Sequence, residues 1–227
     1  NTFVDYQINF LSRYQFEEII LLCHYKKKEF KKLYHNKIIN NCKIKCVFER
    51  SLSGTAGSII NAKKYLKNTF ILLNGDTFFE IDLIKFFKSF SSNNTNIHIA
   101  VKKTHKPERY HRVILKKNLI TEFTNFNVKS NDYFNCGYYI LHKKIFNQFK
   151  KIPLSLEKDI FPKLAKKKQI SFEKFNNYLL DIGTIEDLRK ARKFFKTYNQ
   201  RKFVILDRDN VINFDKGYRY KLHDFKF

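Results

Sequence analysis

Four carboxylates in this sequence stand where a carboxylate can do chemistry, at the end of a short apolar run. Asp76 closes Phe70-Ile71-Leu72-Leu73-Asn74-Gly75-Asp76, and Asp181 closes Tyr178-Leu179-Leu180-Asp181. Open α/β sheets gather ligands in the crevice at the carboxyl ends of their strands. Asn74-Gly75 permits a sharp turn there, aiming Asp76 into that crevice. Two strand-end acids from distant segments can together hold Mg²⁺, which favours carboxylate oxygens combined with substrate phosphates. A plainer reading of Asp76 is an ordinary strand-ending turn. Around Asp181, the residues Thr184, Glu186 and Asp187 are explained by helix-start chemistry, but Asp181 itself is not. The other pair, Asp207 and Asp209, follows Phe203-Val204-Ile205-Leu206. A buried strand ending in Asp-x-Asp suits an aspartyl nucleophile with a neighbouring acid/base.

A third feature is Ser53-Gly54-Thr55-Ala56-Gly57-Ser58-Ile59, which runs into a helical pattern. Small residues let the backbone approach a ligand closely, and a helix N-terminus offers unpaired N–H groups. Alone the signal is weak, and the segment lacks the Gly-Lys-Ser/Thr ending of a phosphate-binding loop.

These residues are positioned by alternating helical and strand-like segments. Residues 5–13, 27–35 (with Phe30 and Leu33 inward), 55–66 and 82–90 read as helices. Residues 18–22, 42–48 and 70–73 read as strands between them. Such alternation argues for βαβ units and a mainly parallel sheet. Beyond residue 90 the strand-like runs 97–101, 112–115, 119–123 and 133–141 are separated by short polar turns, which suggests added antiparallel strands beside the site. Short helices at 144–149 and 158–166, strands at 170–175 and 178–180, and a helix over 185–198 follow. The expected fold is a three-layer α/β domain with a mixed, mainly parallel sheet over residues 1–197. A linker spans 198–202, and the first strand of a second α/β domain opens at 203–227.

Composition narrows the class. The chain has 227 residues, 43% of them hydrophobic, enough for one large core. No apolar run approaches the roughly 20 residues that span a bilayer, and no leader pattern is present, so a cytoplasmic protein is expected. The four cysteines, Cys23, Cys42, Cys46 and Cys136, lack the partners of a zinc site and read as reduced, structural thiols. The net charge of +24 is spread through nearly every segment. It fits lysines on solvated faces in a coding sequence biased toward A and T, rather than a dedicated nucleic-acid site. It also helps attract phosphorylated substrates. The absence of methionine, the start at Asn1-Thr2-Phe3 and the finish at Phe225-Lys226-Phe227 give both ends a cut appearance.

In this order, the three features resemble the sugar-phosphate nucleotidyltransferase family over about residues 1–197. The matching stretches are Phe3-Val4-Asp5-Tyr6, Gly54-Thr55-Ala56-Gly57, Asn74-Gly75-Asp76-Thr77, Asn135-Cys136-Gly137-Tyr138-Tyr139, Ser155-Leu156-Glu157-Lys158-Asp159 and Asp181-Ile182-Gly183-Thr184. The spellings Gly-Thr-Ala-Gly and Ser-Leu-Glu-Lys look most like the branch that handles D-glycero-D-manno-heptose 1-phosphate. The resemblance implies transfer of a nucleoside monophosphate from an NTP, GTP in that branch, to a sugar 1-phosphate with release of pyrophosphate. It implies that Asp76 and Asp181 hold Mg²⁺, that Gly54, Thr55 and Gly75 lie against the nucleotide, and that Asn135, Gly137 and Glu157 contact the sugar. Glu157 equally fits a helix-start acid.

Two departures stand out. The family's glycine-rich, Arg-containing loop lies before the segment that matches residue 1. Its Glu-Lys pair falls on Thr124-Asn125-Phe126, with Lys129 the nearest base. The chain alone is therefore expected not to catalyse the reaction. The stretch from Phe203 resembles the start of haloacid-dehalogenase phosphatases, and Asp215-Lys216-Gly217-Tyr218 looks like their histidinol-phosphate and heptose-bisphosphate branch. That resemblance implies a nucleophile at Asp207, an acid/base at Asp209 and Mg²⁺ between them. A transferase for glucose or mannose 1-phosphate, a non-catalytic nucleotide-sugar-binding module and a nucleic-acid binder are the competing readings. A homo-oligomer is compatible with all of them.

Overall fold

The computed structural model describes residues 2–103, 112–124, 131–149 and 153–198. The first half runs α1 (Phe3–Ser12), β1 (Glu18–Cys23), α2 (Lys27–Leu33), β2 (Lys37–Ile39), β3 (Cys42–Phe48), α3 (Gly54–Ala62), β4 (Thr69–Leu73), β5 (Thr77–Phe79) and α4 (Leu83–Ser91). The second half runs β6 (Ile97–Lys103), β7 (Arg112–Lys116), β8 (Leu119–Thr124), β9 (Tyr133–His142), α5 (Phe161–Lys166), β10 (Ile170–Lys174), β11 (Leu179–Asp181) and α6 (Ile185–Tyr198). A 3₁₀ turn covers Lys143–Gln148, and a π-helical turn, Leu156–Ile160, leads into α5.

Local chemistry fixes the helix starts. Thr2 and Asp5 form a reciprocal capping box on α1. The Asp82 carboxylate accepts from the Lys85 N–H at 3.0 Å to open α4. The Thr184 hydroxyl accepts from the Asp187 N–H at 3.2 Å as α6 begins.

The described strands form a three-stranded sheet in the order β1-β3-β2, a six-stranded sheet in the order β4-β9-β6-β10-β8-β7, and a two-stranded β5-β11 ribbon. Side chains alternate across the large sheet, as a strand's period of two requires. Tyr138 and Ile140 of β9 enter a cluster with Phe79, Phe86 and Phe195, on the side of α1, α4 and α6. Tyr139 and Leu141 enter another with Ala56, Ile59 and Phe161, on the side of α3 and α5. The sheet is thus the middle of three layers. Ile19 of β1 and Ile71 of β4 border the first cluster, and Leu22 and Leu72 the second, so the small sheet continues the same layer.

The expectation of a mainly parallel sheet is corrected. Among the described residues only β1–β3 and β6–β10 pair in parallel. The other pairings are antiparallel. The cause is β9, which returns between β4 and β6 antiparallel to both. Helices on both faces bury such a strand as fully as a parallel one, so its apolar run looks the same in sequence. Leu33, expected inward, is 47% exposed. The strands β2 and β5 were not anticipated. The four cysteines are free and buried, and burial pushes the Cys23 thiol up to about 12. Residues 203–227, with the expected second domain, lie outside the described residues.

Candidate active site

The site begins at an irregularity in β9. Opposite β6, Tyr139 pairs with Ile99 and Asn135 pairs with Val101, so three residues of β9 face the single residue Ala100. Bulges of this kind bend a strand and re-aim its side chains. Gly137, in the bulge, has φ +74°, a conformation that favours glycine. The Asn135 amide oxygen accepts from the Gly137 N–H at 3.0 Å, and the Gly137 carbonyl accepts from the Asn74 N–H at 2.8 Å. The bulge and the strand-end turn of β4 therefore brace each other.

A second brace reaches this turn from α1. The Gln7 amide donates to the carbonyls of Asn74 at 2.9 Å and Thr77 at 2.8 Å. Gln7 is buried, and both bonds span about seventy residues of chain. A polar residue on the inward face of an amphipathic helix was the available signal for it, and sequence reasoning missed it.

Beyond the turn, β5 pairs with β11, placing Thr77 opposite Asp181. The Ile182 N–H donates to the Asp76 carbonyl at 3.0 Å, so the chains bearing the two acids run side by side. The Asp181 Oδ1 accepts from the Gly183 N–H at 2.7 Å. Asp76 is exposed, and its Oδ1 accepts from the Thr77 hydroxyl at 3.2 Å.

Glu157 collects hydroxyls. Its Oε2 accepts from Thr55 and from Ser155, both at 3.2 Å, and its Oε1 accepts from Tyr139 at 3.3 Å. Tyr139 is fully buried, and its hydroxyl also accepts from the Asn135 amide at 2.8 Å. Burial and the neighbouring Glu157 charge raise the Tyr139 phenol well above its ordinary value, so it stays protonated and donates.

The small residues at the head of α3 do something other than expected. Gly54 has φ +75°, and a Cβ there would lie 2.5 Å from the Leu154 carbonyl oxygen. That same oxygen accepts from the N–H groups of Ala56 at 2.9 Å and Gly57 at 3.2 Å. The close approach is to the chain's own backbone, and these two N–H groups are paired rather than open. The arrangement fixes the segment that carries Ser155 and Glu157.

Between these parts lies a cavity of about 260 Å³. It is lined by Asn74, Thr77, Asn135, Gly137, Ser155, Glu157, Lys158 and Asp181, with Phe134, Cys136 and Leu179 as its apolar wall. It brings together Asn135, Gly137, Glu157 and Asp181 of the residues expected from sequence. Gly54 and Thr55 stand behind Glu157, while Gly75 and Asp76 sit on the exposed turn beside Asp181. Lys158, Ser155 and Thr77 were not anticipated as lining residues. Asp207 and Asp209 lie outside the described residues, as does Lys129.

Among the described residues no group of three or more His, Cys, Asp or Glu side chains could hold a metal. A pair of carboxylates, however, suits Mg²⁺, which keeps several waters and binds through one or two acids plus substrate phosphates. Asp76 and Asp181 fit that donor set.

The nucleotidyl transferase family pattern matches residues 1–215. The chain belongs to the nucleotidyl transferase family. Among curated relatives, it is 31% identical to the D-glycero-alpha-D-manno-heptose 1-phosphate guanylyltransferase of Campylobacter jejuni over 186 residues, covering 82% of each chain. It is 29% identical to the enzyme of the same name from Aneurinibacillus thermoaerophilus over 198 residues, covering 86% of each. Among solved structures, HddC from Yersinia pseudotuberculosis, crystallised with GMP-PN, superposes with a TM-score of 0.69 at 28% identity, over 83% of both chains. The fold is thus the α/β nucleotidyltransferase fold. The family match continues across Asp207 and Asp209 to residue 215. Among the described residues, no helix of this nucleotidyl transferase is long and apolar enough to cross a membrane.

Proposed function

We propose that this nucleotidyl transferase moves a guanylyl group from GTP to D-glycero-D-manno-heptose 1-phosphate. A phosphate oxygen of the sugar phosphate attacks the α-phosphorus of the nucleotide. The bond from that phosphorus to the departing pyrophosphate breaks, leaving a nucleoside diphosphate sugar. The observation that carries this reading is the juxtaposition in one cavity of Asn135 and Glu157 with Asp181. Amide and carboxylate are groups that read sugar hydroxyls, and Asp181 stands at the strand end beside Asp76.

In this reading Asn135 and Glu157 orient the sugar, Gly137 lets it approach the backbone, and Lys158 draws its phosphate. Gly75 borders the nucleotide, while Gly54 and Thr55 hold the segment that bears Glu157. Asp76 and Asp181 hold Mg²⁺, which when bound offsets the negative charge of both phosphates. The protein's own contribution is positioning and fixed charge, the main levers in phosphoryl chemistry. Both named relatives support a guanine nucleotide and a heptose, and the structure crystallised with GMP-PN supports the nucleotide.

Pyrophosphate release by the full-length protein, measured with GTP and with heptose, mannose or glucose 1-phosphate, tests the proposal. A clear preference for the heptose is expected. Equal turnover of all three overturns the heptose assignment, and no turnover with any sugar favours a non-catalytic binding module. The Asp207-Arg208-Asp209 pattern supports a separate proposal, a sugar-phosphate phosphatase on the same protein. Phosphate release from a heptose bisphosphate, abolished by Asp207→Asn, tests it independently.

A further inference from the structure

We infer that Tyr139, which does not line the cavity, is a positioning residue that sets the spacing and hydrogen-bond polarity of the two sugar-reading side chains. The inference deepens the proposed function and rests on it.

The Tyr139 hydroxyl has one proton and accepts from the Asn135 amide at 2.8 Å, so its proton goes to Glu157 Oε1 at 3.3 Å. Asn135 cannot reverse this polarity, because its oxygen is already committed to the Gly137 N–H. The order is therefore fixed from the Asn135 amide through the Tyr139 hydroxyl to the Glu157 carboxylate. Thr55 and Ser155 hold the other oxygen of Glu157.

What remains for a ligand follows directly. An amide offers two hydrogens and two lone pairs, and a carboxylate about four acceptor sites. Asn135 keeps one N–H and one lone pair, and Glu157 keeps about one acceptor site. A sugar hydroxyl that donates to Glu157 and accepts from Asn135 fills the N–H and the carboxylate site of this set. A deoxy sugar leaves it unpaired, which in a partly buried site is the costly outcome. Rigidity comes from the ring of Tyr139, fully buried and packed on Phe161 with centroids 5.2 Å apart.

Tyr139→Phe in the full-length protein removes the hydroxyl and keeps the ring. A lost hydrogen bond to a charged group implies that KM for the sugar 1-phosphate rises about ten-fold or more. KM for GTP stays close to wild type. A sugar KM unchanged within about two-fold, or an equal rise in both KM values, overturns the inference. A readout without turnover separates it from the parent proposal. In Tyr139→Phe the Asn135 side-chain amide resonances shift and exchange faster with water, and unchanged resonances overturn the inference even where the wild type turns over no sugar. Absence of turnover in the wild type, with the resonance change present, instead counts against the proposed function.

Discussion

The Asn74 side chain fills the space that a side chain on Gly137 would take. The Asn74 N–H donates to the Gly137 carbonyl at 2.8 Å, and the Asn74 amide nitrogen lies 2.7 Å from where a Cβ on Gly137 would stand. The strand-end turn before Asp76 and the bulge beside Asn135 are therefore one unit. A change at Gly137 reaches both the Asn135 wall of the cavity and the turn that carries Asp76.

Gly137→Ala tests that unit. Alanine at φ +74° is strained by roughly 1–3 kcal/mol, and its methyl group must displace the Asn74 side chain. Urea unfolding should show a loss of that size, and the sugar KM should rise. Wild-type stability and KM together would separate the bulge from the site.

Gly54→Ala acts from the opposite wall. The added Cβ meets the Leu154 backbone at 2.5 Å, where no rotamer change gives relief. Since Leu154 anchors the segment that bears Ser155 and Glu157, a similar loss of stability should accompany weaker sugar binding. A variant with lost nucleotide affinity and unchanged sugar affinity would instead place Gly54 against the nucleotide.

His98 gives a pH signature. It is fully buried between Phe86 and Phe90, its Nδ1 meets the Ser171 hydroxyl at 2.6 Å, and its Nε2 has no hydrogen-bond partner among the described residues. Burial lowers it from 6.5 to about 4, with the Glu173 charge opposing in part. The unfolded chain then takes up a proton that the folded chain refuses. Stability is whole above pH 6.5 and falls as the pH drops from there toward 4, by on the order of 3 kcal/mol. His98→Phe should flatten the stability profile over that window relative to wild type. Ser171 keeps contacts to Thr95 and to the Ile97 carbonyl in that variant. Parallel profiles for the two proteins would rule His98 out as the source.

The parts legible in sequence were those written in contiguous residues. An apolar run followed by an acid marked Asp76 and Asp181, and the helix over Ile185–Tyr198 was readable from its start signal and period. The antiparallel placement of β9 was not, because burial on both faces erases the alternation that distinguishes such a strand. Gln7 and Tyr139 were hidden for a different reason. Each lies in a segment that supplies core residues, and its role depends on partners brought near only by folding. The small residues at Gly54 showed that a backbone must come close there, but not that it was the chain's own.

The most direct test compares pyrophosphate release by the full-length protein with that of its Asp181→Asn variant, using GTP, heptose 1-phosphate and Mg²⁺. A fall on the order of a hundred-fold is expected if Asp181 holds the metal. A rate within about two-fold of wild type would contradict that role.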